Sequence, residues 1–193
     1  MDTLKAEKRD MSVKAKKLRR EGYVTGNIFG REIKGSIPIQ IDRQEAERVF
    51  REKKKGSQLY LEVNGQTMDV LIKEVHFNSM KNQYEEVDFQ ALVSSEKVHS
   101  VAEVVLLNHD KLQTGILQLA LEEIPYRALP SALIEKVEID VGEMHPGDSI
   151  KVGDLAIASN PDIELSTSPD TVVVLVSEPH TSVEKEDDSA SEE

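Results

Sequence analysis

Apolar and polar residues alternate over much of the first half of the chain, which is the period-2 pattern of half-buried strands. This alternation predicts strands at Thr3 to Lys8, Val24 to Phe29 and Ile33 to Ile41. Pro38 favours an edge position for the third, because proline cannot donate to a ladder. Asn64-Gly65 separates two further alternating runs and predicts a hairpin with a type I′ turn. A second hairpin is predicted from Ile72 to Val93, with its turn at residues 79–82.

A helical period follows Asp42. Asp42 is a good N-cap with Glu45 three residues on, and an i, i+3, i+4 apolar stripe continues the pattern. The helix is predicted to run to the lysines before Gly56, where they suit the negative end of its dipole. By contrast, the segment Val13 to Arg20 has cations at successive angles and no apolar stripe. We therefore interpret it as an exposed arm.

The second half has a different composition, and a domain boundary is predicted near residues 93–98. Strand-like runs recur at Val101 to Leu107, Ile134 to Val141, Ser149 to Val152 and Thr171 to Val176. The run Leu112 to Leu121 fits either a strand or a helix. We predict a mainly β protein with a few helices (α+β), with domains at 1–93 and 98–178 and a disordered acidic tail at 179–193.

Charge is divided unevenly between the halves. The chain has a formal net charge of -12, but residues 1–93 carry 18 Lys+Arg against 15 Asp+Glu, and residues 94–193 carry 6 against 21. Five of the basic residues fall within seven positions: Lys14, Lys16, Lys17, Arg19 and Arg20. Such a run can follow a phosphate backbone, and Tyr23 and Phe29 offer stacking surfaces beside it. A run of solvated charges is the alternative, and the spacing leaves both open.

Patterns typical of enzymes are missing from the sequence. There is no cysteine, the five histidines stand in no metal-binding spacing, and no nucleophile or phosphate-loop motif occurs. Adjacent carboxylates such as Glu85-Glu86 are interpreted as solvated faces. The first twenty residues lack a secretion signal and the apolar runs are too short for a bilayer. We expect no enzyme activity, metal, cofactor, small-molecule substrate or membrane partner.

Several segments carry a family resemblance. "LRREG" at 18–22, "VTGNIFG" at 24–30, "LEVNG" at 61–65 and "VDFQ" at 87–90 resemble the family of the twenty-fifth protein of the bacterial large ribosomal subunit. "ALPSALIEKVEIDV", "GDSIKVGDL" and "SPDTVVVLV" are similar to the C-terminal domain of its longer form, the general stress protein Ctc. The resemblance covers residues 3 to 178 in order.

This resemblance implies a fold and a function. The N-terminal domain would be an antiparallel β-barrel that binds 5S ribosomal RNA through its minor groove, in the cytoplasm on the large ribosomal subunit. The C-terminal domain would be a separate β domain. Carried over by position, the RNA-binding residues are the cations Arg9, Lys14, Lys16, Lys17, Arg19, Arg20 and Lys81, the acceptor Asp88 and the ring of Phe29.

Three positions depart from the family pattern. Thr25 stands where proline is usual, Phe29 where tyrosine is usual, and Glu86 where a histidine is usual. Phe29 lacks a hydroxyl group, and Glu86 replaces a donor with an anion that phosphates repel. An alternative function is therefore a divergent paralogue with weakened RNA binding that acts as a stress-related protein-interaction module.

Overall fold

The computed structural model describes residues 3–112 and 114–178. The predicted tail at 179–193 lies outside these residues. The first half contains six strands and two helices: β1 Thr3–Lys8, α1 Ala15–Arg20, β2 Tyr23–Phe29, β3 Ser36–Asp42, α2 Arg43–Phe50, β4 Gln58–Val63, β5 Gln66–Asn78 and β6 Gln83–Ala91. The predicted strands and both hairpins are present, although the third strand begins later than expected.

The six strands close into a barrel in the order β1-β3-β2-β6-β5-β4. Leu4, Ile28, Ile39, Leu61 and Phe89 are among the side chains that fill it, each fully buried. The barrel was predicted as antiparallel, but β1 pairs with β4 and β2 pairs with β6 in parallel. Closure explains this difference, because it joins strands that are distant in sequence and no tight turn imposes an antiparallel direction on them.

Pro38 does not lie on an edge strand, because β3 pairs with both β1 and β2. Its missing donor is tolerated because the β1 ladder ends one residue away, at Lys8 opposite Ile39. Gly26 makes the parallel β2–β6 pairing possible. A Cβ atom there would lie 2.3 Å from the carbonyl oxygen of Val87, so only glycine allows the two strands this approach.

Helix α2 begins as the sequence predicts. The Asp42 carboxylate accepts hydrogen bonds from the backbone N–H groups of Gln44 at 2.9 Å and Glu45 at 3.3 Å. Its apolar stripe, Ala46, Val49 and Phe50, is buried against the barrel core. The helix ends at Phe50, earlier than predicted, so the three lysines at 53–55 lie beyond it. They are therefore free to make other contacts.

The second half builds a separate hydrophobic core from two sheets, ordered β10-β7-β9-β12 and β11-β13-β8. Its strands are β7 Val98–Leu107, β8 Ile116–Leu119, β9 Glu123–Ala128, β10 Lys136–Asp140, β11 Ser149–Lys151, β12 Ile163–Leu165 and β13 Val172–Ser177. The ambiguous run at 112–121 thus contains a strand. Strands β9 and β12 were not predicted. The fully buried Tyr126 fixes this core, since its hydroxyl bonds both the N–H and the carbonyl of Ile134, at 2.7 and 2.9 Å.

The two halves meet at the segment that follows α2. Lys53 contacts Glu135 at 2.9 Å, Lys55 contacts Glu123 at 2.9 Å, and Lys54 pairs with Glu103. The next residue, Gly56, has a φ of 88°, and a Cβ atom there would lie 2.1 Å from the carbonyl oxygen of Val101. Three consecutive lysines of the first half are therefore matched to three carboxylates of the second.

Candidate nucleic-acid interface

The basic segment before β2 is not the exposed arm that the sequence predicted. Residues Ala15–Arg20 form α1, which packs against β2. The prediction was wrong because one apolar residue anchors the helix: Leu18 is only 5% exposed. The guanidinium group of Arg43 also donates to the carbonyl oxygen of Arg19 at the end of the helix. The cations are thus carried by an ordered element on the outside of the barrel.

Four cations of this segment face solvent. Lys14 is the N-cap residue of α1, and Lys16, Lys17 and Arg20 lie within the helix, all of them exposed. Lys17 Nζ lies 3.7 Å from Glu21 Oε1, but both side chains are well exposed, and such pairs contribute little. The helix therefore presents a compact positive surface.

Arg9 has a different environment. Its guanidinium group donates to the carbonyl oxygen of Val13 at 3.1 Å, within the loop that leads into α1. Its Nε atom is buried and has no hydrogen-bond partner among the described residues. Arg9 thus braces the loop before the basic helix and is only partly exposed.

Arg19 and Lys81 converge on one carboxylate. Arg19 Nη1 lies 3.4 Å from Glu85 Oε2, and Lys81 Nζ lies 3.0 Å from Glu85 Oε1. The side-chain amide of Asn78 donates to the same Oε1 at 2.9 Å. Hydrogen bonds from Lys81 and Asn78 lower the pKa of the Glu85 carboxyl, and the charges of Lys81 and Arg19 add to that shift. Glu85 is therefore a paired carboxylate and not only part of a solvated face, and its side chain is 22% exposed.

A β-bulge places Glu85 in this position. His76 pairs with Glu86 and Phe77 pairs with Tyr84, so Glu85 is the extra residue of β6. The hydroxyl of Thr25 donates to the Glu85 carbonyl oxygen at 3.2 Å, and Thr25 is 1% exposed although it lies on the outer face of β2. This burial agrees with the packing of α1 over β2.

The outer faces of β2 and β6 continue the surface away from the helix. Asn27 lies opposite Asp88, and its side-chain amide donates to Asp88 Oδ1 at 3.2 Å. Phe29, at the end of β2, is partly exposed. Glu86 pairs in register with Thr25 on one side and His76 on the other, and its side chain is partly exposed. This part of the face presents amide, carboxylate and aromatic groups.

The structure thus brings the predicted residues together in two ways. The cations of α1 form one group beside the β2–β6 face with Asp88 and Phe29, whereas Arg19 and Lys81 are drawn onto Glu85. Sequence reasoning missed Glu85, Asn78 and Asn27 as members of this surface. Nothing local indicated them, because Glu85 is 66 residues from Arg19 and Asn27 is 61 residues from Asp88.

Over residues 3–112 and 114–178, no group of three or more His, Cys, Asp or Glu side chains is placed to hold a metal ion. Among the helices of those same residues, none has the length and apolarity needed to span a bilayer.

Comparison with known families assigns both halves to ribosomal proteins. The Ribosomal L25p family matches residues 4–89, and the family of the ribosomal protein TL5 C-terminal domain matches residues 97–180. The barrel and the second β domain together place the chain in the class of two-domain ribosomal proteins. Ribosomal proteins of this family are structural components and not catalysts, as expected for this chain.

Curated relatives match over nearly the whole length. The large ribosomal subunit protein bL25 of Finegoldia magna is 31% identical over 188 residues, covering 95% of this chain and 88% of the relative. The bL25 protein of Carboxydothermus hydrogenoformans is 30% identical, covering 96% of each. That of Bacillus pumilus is 28% identical and covers 100% of this chain and 93% of its own. The chain belongs to the bL25 family, in its two-domain form.

Proposed function

We propose that this chain is a component of the large ribosomal subunit that binds 5S ribosomal RNA, with α1 and the outer face of β2 and β6 as the contact surface. The domain that carries this surface spans residues 1–93, and residues 98–178 form the second domain. The proposal places the protein on cytoplasmic ribosomes. It is supported by the names of the relatives, which are large-subunit proteins.

The observation that carries the proposal is the group of four exposed cations on one short ordered segment: Lys14, Lys16, Lys17 and Arg20. Each phosphate that a lysine or arginine neutralises releases condensed counterions, which favours binding at low salt. Because the segment is helical and anchored by Leu18, the charges are held in place before RNA arrives. Less conformational entropy is then lost on binding.

The neighbouring sheet face supplies groups suited to an RNA minor groove. That groove is wide and shallow and displays 2′-hydroxyls and base edges. The Asp88 carboxylate accepts hydrogen bonds from hydroxyl or amino groups, and the Asn27 amide beside it can donate as well as accept. The ring of Phe29 offers an apolar contact at the end of the strand. In this arrangement α1 contacts phosphates and the sheet face contacts the groove.

The test is a titration of the full chain with 5S ribosomal RNA at several salt concentrations. We expect the logarithm of the affinity to fall with the logarithm of salt by about 0.7 to 0.9 for each phosphate contacted, hence by roughly 3 for four cations. Arg20→Ala should reduce that slope by about 1. Arg127→Ala is the matched control, since Arg127 is an exposed arginine of the second domain, and it should leave the slope unchanged. Absence of binding at the lowest salt would overturn the proposal.

A second candidate function follows from the acidic side chains on the same face. Glu86 and Asp88 lie on β6 and Glu74 pairs with Asp88 from β5, so these strands carry negative charge. These charges repel phosphates, so a divergent paralogue with weak RNA binding and a protein partner would account for them. Such a protein would act as a stress-related interaction module. Its recovery in ribosome-free complexes, with none on large subunits, would favour this function over the first.

A further inference from the structure

The Glu85 carboxylate lies where cations from two separate elements meet. Arg19 comes from α1 and Lys81 from the turn between β5 and β6, and they contact different oxygens of the same carboxylate. Asn78 adds a neutral donor. Two cations and an amide thus surround one anion that has two acceptor oxygens. The same donors could hold an RNA phosphate in the same place.

We propose that Glu85 is an internal competitor for RNA phosphate: it holds Arg19 and Lys81 in the free protein, and RNA must displace it before either cation contributes to binding. Glu85 then sets how tightly the surface binds RNA. This inference rests on the RNA-binding function proposed above. It assigns a role to a residue that lies between the RNA-facing groups and carries the opposite charge.

The basic helix has other anchors than Glu85. Leu18 is 5% exposed between α1 and the barrel, and Arg43 bonds the carbonyl oxygen of Arg19. The backbone N–H of Glu21 closes the last turn onto the carbonyls of Lys17 and Leu18. Loss of the Glu85 carboxylate therefore leaves the helix in place. The main effect of the ion pairs with Glu85 is to neutralise the positive charge that Arg19 and Lys81 would otherwise present to RNA.

Both cations are accessible enough to exchange partners. The side chain of Lys81 is 63% exposed and that of Arg19 is 28% exposed. The Arg19 contact is long, at 3.4 Å. Partly exposed ion pairs of this kind contribute little to stability, so a phosphate can replace the carboxylate without a large opposing term.

Glu86 is the matched comparison, because it is adjacent and carries the same charge. Within the described residues its side chain makes no hydrogen bond or ion pair, and in the barrel register it lies between Thr25 and His76. Removal of its charge weakens general repulsion of RNA, but frees no cation. The two substitutions Glu85→Gln and Glu86→Gln change net charge equally and differ in whether Lys81 and Arg19 are released.

The experiment is a double-mutant cycle on RNA affinity, using the full chain and 5S ribosomal RNA. Lys81→Gln is made in three backgrounds: the unchanged chain, Glu85→Gln and Glu86→Gln. We expect Lys81→Gln to weaken binding less than about twofold in the unchanged and Glu86→Gln backgrounds, and about three- to fivefold in the Glu85→Gln background. Glu85→Gln should also steepen the slope of log affinity against log salt by about 1 to 2, as expected for one or two added phosphate contacts. An effect on folding alone would not steepen this slope.

Equal effects of Lys81→Gln in all three backgrounds would overturn the inference while leaving RNA binding by this surface intact. Weaker binding by folded Glu85→Gln would overturn it as well, because Glu85 would then support the contact surface. Failure of every protein to bind RNA would instead remove the proposed function on which the inference rests. Glu85→Ser serves as a second neutral substitution, and circular dichroism confirms that each variant is folded.

Discussion

Two basic runs in this chain differ in the carboxylates that they meet and not simply in exposure, since Lys54 and Lys55 are also exposed. Lys14, Lys16, Lys17 and Arg20 on α1 are exposed. Lys53, Lys54 and Lys55, after α2, each pair with a different carboxylate of the second domain. Charge density along the sequence therefore does not determine whether a cation is available to a partner. Acidic side chains that are distant in sequence decide it.

Neutralising the lysines of α1 should affect RNA affinity far more than neutralising the lysines at 53–55. Replacement of Lys14, Lys16 and Lys17 by glutamine should weaken binding of 5S ribosomal RNA roughly ten- to a hundredfold near physiological salt, because three phosphate contacts are lost. The same replacement at 53–55 removes equal charge and should weaken binding less than about threefold. Filter binding at one salt concentration checks both. Equal losses in the two variants would contradict the comparison.

A somewhat smaller effect should follow from Leu18→Ala, which keeps every charge. The substitution removes the buried anchor of α1 at a cost of about 2 kcal/mol, at the lower end for buried leucines because the site lies on the surface of the barrel. We expect faster hydrogen exchange across residues 15–20 and an RNA affinity reduced about three- to tenfold.

Met11→Ala is the control for Leu18→Ala, since Met11 is 67% exposed in the preceding turn. It should leave both measurements unchanged. If the exchange rate rose in Leu18→Ala while RNA affinity stayed constant, the cations would act without the helix, and the notion of an unstructured basic arm would be restored.

The lysine run at the domain junction should contribute to stability and not to RNA binding. Replacement of Lys53, Lys54 and Lys55 by glutamine should lower the free energy of unfolding by about 1 to 2 kcal/mol, the sum of three partly exposed ion pairs. Urea unfolding checks this. Because salt screens such pairs, the difference from the unchanged chain should shrink as salt increases. The corresponding triple replacement on α1 should change stability by less than about 0.5 kcal/mol.

The smallest effect concerns pH and the Glu85 carboxyl, whose pKa its partners lower from the ordinary value of 4.5. A lowered folded-state pKa means that the stabilisation is present above the ordinary value and is lost as pH falls through the folded value. The stability difference between the unchanged chain and Glu85→Gln should therefore shrink on acidification below about 4.5. Urea unfolding between pH 7 and pH 3 measures it. A difference that grows with acidification would have the wrong sign.

Local features of the sequence predicted much of the first domain because their causes are local. The alternation around Asn64-Gly65 and the N-cap at Asp42 each act within a few residues, and the structure contains both. The hairpin at residue 82 is similar, with Asn82 at a φ of 51°. Such features depend on turn chemistry and helix capping, so the residues that form them stand next to each other in the sequence.

The features that the sequence did not predict depend largely on contacts between residues that are distant in the sequence. A helix of six residues with a single large apolar side chain has no recognisable stripe, and Leu18 is buried only because the outer face of β2 lies beneath it. The partners of Lys53, Lys54 and Lys55 lie 82, 49 and 68 residues away. Strand β9 contains Pro125, which weakened its strand pattern. The position of Glu85 depends on a β-bulge that no residue type in the sequence predicts.

Lysine footprinting compares the two basic runs in one experiment, in the free protein and in the presence of RNA. The full chain is acetylated briefly with and without 5S ribosomal RNA, and the modification of each lysine is measured by mass spectrometry. We expect Lys14, Lys16 and Lys17 to react readily in the free protein and to be protected by RNA. RNA should leave the reactivity of Lys53, Lys54 and Lys55 unchanged. Protection of the second run, or none on α1, would contradict this expectation.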